Sequence, residues 1–115
     1  MDSKSAQIQT LTNTIAILRS SETLLLQASR GTSDLATLLQ INAEYSHIDS
    51  WISQLLHTQA LNDDAQFSAA VSTLKQQADS LAADEAHIQT IVKDVASAAK
   101  IVGYISQAVT FLAAI

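Results

Sequence analysis

Apolar residues recur every three or four positions along almost the whole of this chain, the period of one helix face rather than of a strand. Ile8, Leu11, Ile15, Leu18, Glu22 and Leu25 form a first seam and predict a helix from about Ser3 or Ser5 to Ser29. Gly31 supplies a stop, Thr32 or Ser33 a cap, and Asp34 a first-turn acid that suits the helix dipole. A second seam of Leu38, Ile41, Tyr45, Ile48, Ile52 and Leu55 predicts a second helix that fades around Gln59 to Leu61. Asn62-Asp63-Asp64 then signals a new start, with Asp63 and Gln66 spaced as a capping box.

From there one phase runs on through Phe67, Val71, Leu74, Ala78, Leu81, Ile88, Val92, Val95, Ala99 and Val102. No Gly or Pro interrupts residues 65–102. Two outcomes fit: one helix of about fifty residues, roughly 75 Å long, or two helices broken near Ala82-Ala83-Asp84, with Asp84 as the cap. The expectation is an all-α, antiparallel up-down bundle of three long or four helices, residues 1–115 forming a single domain.

Composition sharpens this picture. The chain has no proline and two glycines, where average usage would give about six and about eight. Few turns and long elements follow. The absence of cysteine excludes disulfides, thiolate metal sites and a cysteine nucleophile. Eleven acidic against six basic residues, thinly spread, leave no basic stripe for nucleic acid. The first ten residues lack a basic start followed by an apolar run, so no ordinary secretory signal is expected and the cytoplasm is the default compartment.

Two polar features stand out. Glu44-Tyr-Ser-His47 and Asp84-Glu-Ala-His87 repeat a carboxylate-x-x-His spacing, and Glu22 offers a third carboxylate, the inventory of a metal site in a helical bundle. At 100° per residue, however, His47 points away from the Ile41/Ile48/Ile52 face and His87 falls at the margin of its seam. The plainer expectation is two pairs of solvated neighbours. Glu22 interrupts an apolar seam, which predicts either a buried polar layer that sets helix register, with Gln40 and Asn42 opposite, or a solvated edge. Trp51 and Tyr45 are expected at the core margin, and nothing resembles a nucleophile elbow or a phosphate-binding glycine loop.

The last fifteen residues, IVGYISQAVTFLAAI, carry no charged side chain. Val102, Ile105 and Val109 prolong the preceding seam, while Ile101, Tyr104, Phe111, Leu112 and Ile115 are left for the other sides. Off-seam Ile17, Leu24, Leu35 and Leu39 add further apolar surface. The pattern favours a non-enzymatic structural or protein-interaction module that self-associates or binds another helical protein through Ile101, Tyr104, Ala108, Phe111, Leu112 and Ile115. No cofactor and no small-molecule substrate is expected. A membrane-active, pore-forming-type subunit is the first alternative and a metal-binding four-helix bundle the second. A simple membrane span is disfavoured by the short run and by Gln107 within it.

Overall fold

The computed structural model describes residues 3–115, so Met1 and Asp2 of the expected single domain lie outside the described residues. Four helices follow one another: α1 Ser3–Arg30, α2 Leu35–Gln59, α3 Asp64–Ile91 and α4 Val95–Ala114. Each packs on its neighbours in sequence, and α4 closes the ring against α1. The result is an antiparallel up-down bundle about 49 Å long and 20 Å across. The α2–α3 edge is the most loosely packed of the four.

The links are short, and acidic caps start α2, α3 and α4. Asp34, not Thr32 or Ser33, caps α2, accepting hydrogen bonds from Thr37 N at 3.3 Å and Thr37 Oγ1 at 2.5 Å. Those bonds hold the Asp34 carboxyl below the ordinary aspartate range. Asp63 caps α3 through Gln66 N at 2.8 Å, as its spacing predicts. At the chain ends, Lys4 bonds Asp64 at 2.9 Å and lies over the Phe67 ring. Gln7 Nε2 donates to the Ile115 carbonyl at 3.2 Å.

The long third segment is two helices, and the break falls later than the sequence suggests. Asp84 is a buried mid-helix residue, and α3 continues to Ile91. Val92 then turns extended, with Asp94 as the cap of α4. Val92 ends a run with Thr90 and Ile91 in which β-branched side chains weaken the helix. Asp94 Oδ2 accepts from Ser97 Oγ at 2.6 Å, stabilising the new start. No glycine or proline is needed.

This break resets the phase of everything after it. Val95 is 81% exposed and Ala99 is exposed, although both continue the α3 seam on paper. The inward seam of α4 is Ala98, Ile101, Ile105, Ala108 and Leu112. Ile101, Ala108 and Leu112, expected at an intermolecular contact, are fully buried in the chain's own core. Tyr104, Phe111 and Ile115 are half-buried at its margin.

Elsewhere Leu11, Leu18, Leu25, Ile48, Leu55 and Leu81 are fully buried as expected, but on α2 Thr37 and Glu44 take the buried places expected of Leu38 and Tyr45, which are half-buried. Trp51 lies inside the core rather than at its margin. Ile17 and Leu24 are half-buried against the core, whereas Leu35 and Leu39 remain 67% and 60% exposed.

A chain ending at Lys100 loses Ile101, Ile105 and Leu112, each worth about 1.5–3 kcal/mol of burial. It should therefore lose its cooperative thermal transition by far-UV circular dichroism. Retention of a native-like melt would show that α4 is not part of the core. In the full chain, Leu112→Ala should cost about 2–5 kcal/mol, measured by urea denaturation.

Candidate functional site

The most concentrated polar chemistry lies at the loose α2–α3 edge, where both carboxylate-x-x-His motifs meet. Glu44 and His47 stand one turn apart on α2, and Asp84 and His87 one turn apart on α3. Antiparallel packing crosses their partners. His47 Nδ1 lies 2.6 Å from Asp84 Oδ2, and His87 Nδ1 lies 3.1 Å from Glu44 Oε1. These are not solvated neighbours within each helix. The two carboxylates point inward, with side chains only 9% and 5% exposed, while the rings reach over them from the solvent side.

Burial pushes both carboxyls above their ordinary range. For Glu44 the neighbouring Asp84 adds to desolvation, and His87 and His47 oppose it. For Asp84 desolvation again leads, opposed by His47 and then His87. The satisfaction is incomplete: Glu44 Oε2 is buried without a hydrogen-bond partner. Such an atom is costly inside a protein. One ligand atom from each of Glu44, His47 and Asp84 fits within a mutual distance of 4.8 Å. An open groove lined by Gln40, Ala43, Glu44, His87, Thr90 and Ile91 reaches the Glu44–His87 side of the cluster from solvent.

Glu22 lies elsewhere, on α1. It is buried in its seam, as the register expectation requires, but its neighbour is Asp49 of α2 rather than Gln40 or Asn42. The helices are therefore offset further than counting back from the Gly31 turn implies. Desolvation, and then the carboxyl of Asp49 close enough to share a proton, push Glu22 up to about 7 against some opposition from Arg19. Glu22 Oε2 has no hydrogen-bond partner.

The open pocket at the other loops, about 500 Å³, is lined by the caps Asp34 and Asp94 together with Thr37, Lys93 and Ser97. Its hydroxyl–carboxylate pairs, Thr37 with Asp34 and Ser97 with Asp94, are contacts between a cap residue and the first turn of its own helix. No protein-family model, no curated protein and no solved structure matches the chain.

The Glu22 shift fixes a sign. Unfolded, this carboxyl loses its proton near its ordinary value of 4.5; folded, it holds the proton to about 7. Its favourable contribution is complete below the lower value, falls as pH rises between the two, and is absent above. Glu22→Gln, a neutral mimic of the protonated acid, should leave stability unchanged at low pH and raise it by about 1–2 kcal/mol above neutrality. Urea midpoints measured across that range check this. Equal effects at both ends would show that Glu22 titrates normally.

Proposed function

We propose that this chain is a non-enzymatic helical bundle that works by association, as a structural or interaction module whose contact surface is the outward face of α4. The observation that carries this is a glycine. Gly103 sits exposed in the middle of α4, and a Cβ added there would meet nothing within 4 Å. Within a lone chain it therefore has no packing role, yet glycine in a helix interior costs about 1 kcal/mol relative to alanine. Close approach of a second helix is the use that offsets such a cost.

The surroundings agree. Ala99, Gly103, Ser106, Gln107, Thr110 and Ala114 are exposed on α4 and uncharged, and Lys100, one turn before Gly103, is the single charged side chain of the helix. Half-buried Tyr104, Phe111 and Ile115 are the amended contact set, since Ile101, Ala108 and Leu112 are spent in the core. The other helices expose Arg19, Asp49, Lys75 and Asp79. A second copy or another helical protein would cover this face.

One observation favours a second reading. α4 is 20 residues long with a window of mean hydropathy 1.3, enough by length and composition to cross a membrane. Core helices of soluble bundles pass the same test, and α4 would have to leave its seam to insert.

Light scattering coupled to size exclusion tests the association. The chain should run as a defined oligomer, or as a monomer that captures a helical partner. Gly103→Glu with Gln107→Lys places a charged pair at favourable helical spacing on the face, so the bundle still folds. That variant should be monomeric and bind no partner. Gly103→Ala should stabilise the isolated bundle by about 0.5–1 kcal/mol while weakening association. An oligomer that survives the charged pair would place the interface elsewhere. Dye release from liposomes, abolished by the same pair, would establish the membrane reading instead.

A further inference from the structure

We infer that Glu44, His47 and Asp84 bind a divalent transition-metal ion at the α2–α3 edge, with His87 holding the Glu44 carboxylate in place. The site is independent of the α4 face.

Three features of the cluster carry this. The donors are two carboxylates and an imidazole, a set suited to zinc, manganese or ferrous iron and poor in the thiolates that would select softer ions. The carboxylates are held inward on two different helices, so the ion would be a cross-link between them and not a surface adsorbate. The buried Glu44 Oε2 has no partner in the chain and leaves one lone pair of the cluster to be satisfied from outside it.

Crossed His–carboxylate pairs alone do not meet this need. Each imidazole satisfies one oxygen of the opposing helix, at 2.6 Å and 3.1 Å, which leaves Glu44 Oε2 unserved. A divalent cation between the two inward carboxyls would serve that oxygen.

The geometry needs a small adjustment, and the chain can make it. Ligand atoms about 2.0–2.2 Å from a metal stand roughly 3.0–3.5 Å from one another. Ligand atoms that now lie within 4.8 Å of one another must draw to that spacing, and the 2.6 Å His47–Asp84 contact must open. His47 is the mobile member, its side chain 39% exposed, while Glu44 and Asp84 are fixed by the core. The ring therefore moves and the carboxylates stay. His87 already hydrogen-bonds Glu44 Oε1, the outer contact that commonly orients a ligating carboxylate. The groove beside Glu44 provides the path from solvent.

Untagged protein, stripped with EDTA and dialysed, would be titrated with zinc chloride by calorimetry, and with cobalt chloride followed by visible absorption. One equivalent should bind with micromolar affinity or better, and the melting temperature should rise with zinc concentration. His47→Ala, at a half-exposed position that leaves the core intact, should weaken zinc by about ten-fold or more, and Asp84→Asn likewise. His57→Ala, at an exposed position outside the cluster, should change nothing. Circular dichroism verifies that each variant is folded, and His47→Ala decides the matter alone if Asp84→Asn is not. No saturable binding, or binding indifferent to His47→Ala, overturns the site. Binding lost with His57→Ala would reassign it to the surface.

Discussion

Burial of the α4 seam between α1 and α3 is the contact on which the rest of the bundle depends. Ile101, Ile105 and Leu112 are fully buried there, and together they are worth about 5–9 kcal/mol. The whole stability of a domain this size is about 5–15 kcal/mol. Without α4, the inward faces of α1 and α3 would open to water, and the ring would be left with its loosest edge between α2 and α3. The uncharged tail is thus first a structural element, and only its outer half is free for other work.

Polar groups are placed where this apolar frame is weakest. Along α3, hydrophobic seam positions give way to Asp84, and along α2 to Glu44, at the same level of the same edge. Their crossed histidine contacts join α2 to α3 at that level by polar groups where apolar packing is thinnest. Glu22 is the exception, a buried carboxyl beside Asp49 on the closely packed α1–α2 edge. Both arrangements hold buried carboxyls raised above their ordinary range, so the bundle's tightness depends on pH more than its apolar core suggests.

How much of this was legible in the sequence follows from which forces act locally. The seams of α1, α2 and α3 are visible because burial imposes a period on the residues themselves. The end of α3 is not, because Thr90-Ile91-Val92 and the Asp94/Ser97 pair are weaker signals than a glycine or proline. A three-residue link then shifts the helical phase, which is why Val102 and Val109 looked like seam residues while Ile101, Ala108 and Leu112 took that place. The two carboxylate-x-x-His motifs were readable as motifs. Their crossing was not, since it depends on the axial offset between two helices. The same offset replaced Gln40 and Asn42 with Asp49 opposite Glu22.

The balance of these energies also bears on how the outer face of α4 can be used. Withdrawing α4 for insertion into a bilayer would cost roughly the entire stability of the fold before any lipid contact offset it. Docking a second helix against Gly103 and its exposed neighbours would cost none of that, because these residues contribute little to the core. A dimer seam there would bury small side chains at close range while Ile101, Ile105 and Leu112 stayed where they are. The division of α4 into a committed inner face and an uncommitted outer one therefore favours association of intact bundles over unfolding into a membrane.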